Sequence, residues 1–129
     1  MIYIDTSVAL SQLFAEDRKP RLSLWAQPLI ASRLLEYEVW TRLNTLGLND
    51  SHGDWARQLI EGIALVELVP PVLERVLDPF PMPVRTLDAL HLATLHHLIS
   101  SGLRIELASY DLRMNQVAET MGVPLVSDL

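Results

Sequence analysis

Residues 1–10 read MIYIDTSVAL. Ile2 to Ile4 is a short β-branched and aromatic run, the composition of a buried strand. Asp5 follows at once, then the hydroxyls of Thr6 and Ser7. From there Val8, Ala9, Leu10, Leu13 and Phe14 fall on one helical face. A strand that ends on an acid and turns directly into a helix has two readings. Asp5 can cap the helix, or it can be one wall of a metal site whose other walls come from far along the chain.

Working outward, the same succession stands near the other end. IELAS (105–109) reads as a strand, and DLRMNQVAETMG (111–122) as a helix closed by Gly122, with Asp111 between them. In the middle, AEDRKPR (15–21) breaks the helical pattern around Pro20, and Leu29 to Ala31 is a second strand. Ser32 is placed to cap a helix running to about Leu46, and a further helix is expected over Gly53 to Ile63. A strand over Val66 to Val69 should stop at Pro70 and Pro71, with a short helix from Val72 to Leu77. DPFPMP (78–83) cannot be regular structure. Thr86 opens TLDALHLATLHHLISSG (86–102), a helix ended by Gly102, and PLVS (124–127) is a last strand. Short apolar strands alternating with helices imply a mostly parallel sheet of four to five strands, covered on both faces. No internal repeat or second-domain boundary interrupts residues 1–129.

With 50% hydrophobic and 20% charged residues the chain is built to bury a core, not to be disordered. It has zero cysteines, so disulfides and thiolate metal sites are excluded. No apolar run reaches the roughly 18 residues of a membrane helix, and no signal-peptide pattern opens the chain; a soluble cytoplasmic domain is expected. The net charge of −6 argues against a nucleic-acid partner, until four acids are set aside as cation ligands, which leaves −2. Lys19 is the only lysine beside nine arginines, and Arg forks suit phosphate or partner carboxylates.

Four acids stand out. In a parallel sheet the crevice beyond the carboxyl ends of the strands collects function, and Asp5 and Asp111 both reach it. Asp88 lies in the first turn of its helix. Glu38, with Leu35, Val39 and Leu43 around it at helical spacing, lies near an apolar face, where no capping role explains it. Singly, Asp5, Asp88 and Asp111 read as helix-terminal acids. Together, carboxylates within about 4 Å repel by roughly 4 kcal/mol per pair at an effective dielectric near 20. A fold gathers them around a cation or a shared proton. All-oxygen donors select a hard ion such as Mg²⁺ or Mn²⁺, able to activate water against a phosphodiester.

IDTSVAL, ASRLLEYEVWTRL, RTLDALHLATL and LASYDLRMNQVAETMGVPLV, in this order, resemble the PIN-domain nucleases. More narrowly they resemble the VapC-type toxins of bacterial and archaeal toxin–antitoxin pairs. The likeness covers nearly the whole chain, and RTLDALHLAT is its most specific piece. It implies a PIN-like three-layer α/β/α sandwich that binds Mg²⁺ or Mn²⁺ and cuts RNA endonucleolytically. It also implies a homodimer held inactive by a VapB-type antitoxin. The family's acids fall on Asp5, Glu38, Asp88 and Asp111, and its accompanying hydroxyl on Thr6 or Ser7. On this reading Asp5 and Asp88 are the principal metal ligands, and Glu38 and Asp111 orient metal-bound waters or hold a second cation. Attack of an activated water would leave 5′-phosphate and 3′-hydroxyl ends. Arg85 and Arg113, beside the acids in sequence, can contact RNA phosphates or form surface ion pairs. The segment between Phe14 and Leu29, where the family usually has a longer helical hairpin that helps grip the antitoxin, is short here.

Two rivals belong to other classes. An aspartyl phosphatase would use Asp5 as nucleophile but needs a second acid two residues on, where Ser7 stands. A non-catalytic module would keep the acids as caps. Zinc at His91 and His96 is disfavoured by their five-residue spacing and the lack of a third nitrogen or sulfur ligand. His91 is expected to be a packed helix residue, bonded to a backbone carbonyl, and His96 and His97 to lie near the surface. Of the tryptophans, Trp25 is expected to be the exposed one.

Overall fold

Every side chain of β1 (Ile2–Ile4) is buried, as a strand covered on both faces requires. A computed structural model describes residues 1–14 and 18–129. Residues 15–17, the start of the expected break at AEDRKPR, lie outside the described residues. β1 pairs in parallel with β2 (Leu29–Ser32) on one side and β4 (Glu106–Ala108) on the other. β3 (Ala64–Val66) adds to β2, giving the order β3-β2-β1-β4. Parallel neighbours need crossovers, and helices supply them. After β1 comes α1 (Thr6–Phe14), after β2 come α2 (Leu34–Thr45) and α3 (Asn49–Glu61), and after β3 come α4 (Pro70–Val76) and α5 (Thr86–Ser100). α6 (Leu112–Thr120) follows β4.

The two-residue period of β1 sorts the layers. Ile2 and Ile4 face a core with Val8 of α1, Leu35, Val39 and Leu43 of α2, and Ile60 of α3. Tyr3 points the other way, into a core with Leu92 and Leu95 of α5 and Met114 and Val117 of α6. The result is the expected α/β/α sandwich, with the strand carboxyl ends on one edge. None of its helices is long and apolar enough to cross a membrane, among the described residues. Gly102 (φ 97°) and Gly122 (φ 82°) end α5 and α6 in the left-handed conformation that other residues resist.

Several expectations are corrected. β3 lies at Ala64–Val66 instead of Val66 to Val69, because its pairing with β2 ends at Ser32↔Val66. Pro70 and Pro71 open α4 instead of preceding it, since the first turn of a helix needs no N–H there. α3 starts at Asn49, ahead of Gly53. A 3₁₀ helix occupies Leu22–Ala26, and PLVS makes a single parallel bridge, Leu107↔Leu125, instead of a strand. Ser32 is not the cap of α2: it ends β2 and Arg33 holds the cap position, although Ser32 Oγ accepts from Leu34 N–H at 3.2 Å. Thr86 does not cap α5: it is the first helical residue and Arg85 precedes it. Trp25 is half-buried against the core, where its Nε1 donates to Gln12 at 3.2 Å. The exposed tryptophan is Trp55, at 59%.

Candidate active site

The register Ile4↔Ala108 sets the residues after β1 and β4 side by side, and Asp5 N–H donates to Ala108 O at 3.0 Å. Asp5 is 6% exposed, which would be costly for a carboxylate without donors. Its Oδ2 accepts from Ser7 Oγ (2.6 Å), Ser109 Oγ (2.9 Å) and Ser7 N–H (3.3 Å). Among the described residues Oδ1 takes no hydrogen bond. The same two hydroxyls fasten the loop after β4, for Ser7 Oγ accepts from Tyr110 N–H and Ser109 Oγ from Asp111 N–H, each at 3.0 Å. Asp111 then caps α6 through Oδ1, which accepts from Arg113 N–H at 3.0 Å and Met114 N–H at 3.1 Å. Its Oδ2 has no protein donor among the described residues.

Glu38 reaches this edge from α2. Its Oε1 accepts from Thr6 Oγ1 at 2.9 Å and meets His91 Nε2 at 2.5 Å, while Oε2 is left without a donor among the described residues. Asp88 enters from the first turn of α5. Burial pushes its carboxyl above the ordinary value, and the charges of Asp111, Asp5 and Glu38 push it further, with His91 pulling the other way. Asp5, Glu38 and Asp111 therefore all lie near enough to Asp88 to act on its carboxyl. Among the described residues, no group of three or more His, Cys, Asp and Glu side chains is arranged to hold a metal ion as it stands. The two readings of Asp111 turn out to be compatible, since one carboxylate oxygen caps and the other stays open.

Three contributors went unread in the sequence: Ser109, Tyr3 and the role of His91. His91 does not bond a backbone carbonyl. It lies 2% exposed between Tyr3 Oη (2.9 Å from Nδ1) and Glu38. Burial disfavours its charged form, but the Glu38 hydrogen bond and the charges of Glu38, Asp5 and Asp88 outweigh it and raise its pKa. A faint signal existed, in that Asp88 and His91 are one helical turn apart. Thr6 and Ser7 commit their protons to Glu38 and Asp5. Arg85 and Arg113 are exposed; Arg113 donates to Pro83 O at 3.2 Å, and neither forms an ion pair among the described residues. Alongside Glu38 runs a groove of about 450 Å³ lined by Thr6, Leu10, Tyr37, Arg42 and Leu87, among others.

No family model matches the chain. Ribonuclease VapC46 of Mycobacterium tuberculosis is 29% identical over 130 residues, spanning 98% of this chain and 96% of that protein. The chain is thus similar to a VapC ribonuclease over nearly its whole length. The crystal structure of VapC20 of Mycobacterium tuberculosis, a toxin that cleaves the sarcin–ricin loop, shares the fold. It superposes with a TM-score of 0.61 at 18% identity, covering 90% of this chain and 94% of that one. The four-stranded parallel sheet flanked by helices therefore matches the PIN architecture that the sequence resembles.

Proposed function

We propose that this protein is an Mg²⁺- or Mn²⁺-dependent endoribonuclease, one PIN domain over residues 1–129, acting as the toxin of a VapB–VapC pair. The observation that carries the reading is the state of the carboxylates. Among the described residues, Asp5, Glu38 and Asp111 each have one oxygen held by protein donors and one without, and Asp88 is raised by burial and by the other three charges. A cluster held in this mutual repulsion is relieved by a divalent ion, and its all-oxygen donors suit a hard one. Small shifts of side chains already fastened on one edge would complete the shell, with Asp5 and Asp88 holding the ion. Such an ion, when bound, supplies charge stabilisation at a phosphoryl oxygen and a water of lowered pKa.

The protein's part is positional. Ser7 and Ser109 fix the rotamer of Asp5, Thr6 and His91 fix Glu38, and Glu38 and Asp111 offer open oxygens to accept protons from an attacking water. Exposed Arg85 and Arg113 are placed to meet RNA phosphates. The resemblance of the sequence to VapC-type toxins further implies a VapB-type antitoxin, a homodimer and a cytoplasmic site of action. Purified protein freed of its antitoxin should cut RNA with Mn²⁺ present, and EDTA should stop it until Mn²⁺ is restored. Cutting that survives exhaustive chelation rules the metal mechanism out. Absence of cutting together with absence of Mn²⁺ binding favours the non-catalytic module.

A further inference from the structure

Tyr3 is fully buried in β1, and its hydroxyl is the hub of a chain of hydrogen bonds. Ser32 N–H, at the end of β2, donates to Tyr3 Oη at 3.1 Å. The phenolic hydroxyl is then shared with His91 Nδ1, 2.9 Å away, the direction of that bond following the state of the imidazole. Nε2 faces Glu38 Oε1, a carboxylate oxygen that can only accept, so Nε2 carries a proton in the neutral and in the charged ring alike. The edge-on packing of the two rings, 82° between planes, fixes their relative orientation. Three elements of the sheet and its helices thus converge on one oxygen of one glutamate.

Resting on the metal-nuclease reading above, we infer that Tyr3 and His91 are positioning residues for Glu38. They direct a single N–H at Oε1, so that Oε2 is the oxygen presented to the site. An unanchored glutamate on a helix has three rotatable bonds and would swing between the site and the neighbouring groove. Thr6 alone provides one donor, whereas Thr6 and His91 together hold Oε1 from two directions. Partners of this outer kind typically alter metal affinity or activity by about 10–100-fold.

The test compares Mn²⁺ affinity, by calorimetry and electron paramagnetic resonance, in wild type, His91→Leu, His91→Gln and Tyr3→Phe. Thermal melting is followed alongside. His91→Leu should weaken Mn²⁺ binding by roughly 10-fold or more. His91→Gln, whose amide nitrogen takes the place of Nε2, should recover most of the loss, and Tyr3→Phe should fall between. A merely structural role would lower the melting temperature of all three without this ranking. Should His91→Leu fail to fold, ¹⁵N spectra of wild-type His91 decide. A protonated Nε2 coupled to Glu38 supports the inference, and a proton on Nδ1 alone overturns it. Wild type that binds Mn²⁺ no better than His91→Leu overturns this inference alone. Wild type that binds no Mn²⁺ overturns the metal reading as well.

Discussion

Asp5→Asn lowers Mn²⁺-dependent RNA cleavage by more than about 100-fold, beyond the upper end of what outer partners cost, while leaving the protein folded. The amide is the same size and still accepts from Ser7 and Ser109, which hold Oδ2 at 2.6 and 2.9 Å. Asparagine is as good a helix-terminal residue as aspartate, so the end of α1 is undisturbed. What disappears is a negative charge and a strong ligand. In the metal-free protein that disappearance removes repulsion on Asp88, whose carboxyl Asp5 helps to push up. The variant should therefore melt at or above the wild-type temperature without metal and below it with saturating Mn²⁺. RNA gel assays and paired melting curves read both outcomes. If Asp5 were only a cap, the substitution would change neither.

Without metal, the protein is expected to lose stability as the buffer is taken from mildly acidic to mildly alkaline, and Mn²⁺ should reverse the trend. The sign follows from two groups. Burial and then the charges of Asp111, Asp5 and Glu38 hold the Asp88 carboxyl above its ordinary 3.8. A group whose folded pKa is raised favours the fold fully below its unfolded value and loses that contribution as pH climbs through the folded one. His91 behaves the same way around a raised value above 6.5, since Glu38, Asp5 and Asp88 favour its charged form against its burial. Both contributions fade in the same direction, and a carboxylate cluster freed of protons is also the better metal ligand. At a Mn²⁺ concentration about 100 times its dissociation constant, linkage stabilises by about 2.7 kcal/mol. For a chain of this size that raises the midpoint by roughly 10 °C. Scanning calorimetry with and without Mn²⁺ at the two ends of the range measures it. A midpoint indifferent to Mn²⁺ in mildly alkaline buffer contradicts the prediction.

Local physics made much of this molecule readable. Ile2–Ile4 is β-branched and aromatic and has a place only between two layers, so β1 and the acid after it were clear. α5 was bounded by Gly102, whose backbone conformation the chain needs there. Asp5 and Asp111 were expected on one edge because parallel strands deliver their carboxyl ends together, and Asp5 N–H bonds Ala108 O. Where local rules tie, tertiary pairing decides. Pro70 and Pro71 suit a strand's end and a helix's start equally well, and only the register of β3 with β2 decides between them. Trp25 lies in a 3₁₀ turn that no periodicity announces, and its burial depends on Gln12 and the α1 face. The Tyr3–His91–Glu38 chain was out of reach for a different reason. Its contacts join residues 88 and 53 positions apart, and a tyrosine in an apolar run looks like packing until its hydroxyl is given partners.

Crystals grown with Mn²⁺ and measured for its anomalous scattering put the four acids to the proof. A peak should lie about 2.0–2.2 Å from Oδ1 of Asp5 and from Asp88, with Glu38 and Asp111 reaching it directly or through water. Manganese found elsewhere on the protein, with this edge of the sheet bare in crystals whose protein still cuts RNA, would contradict the account.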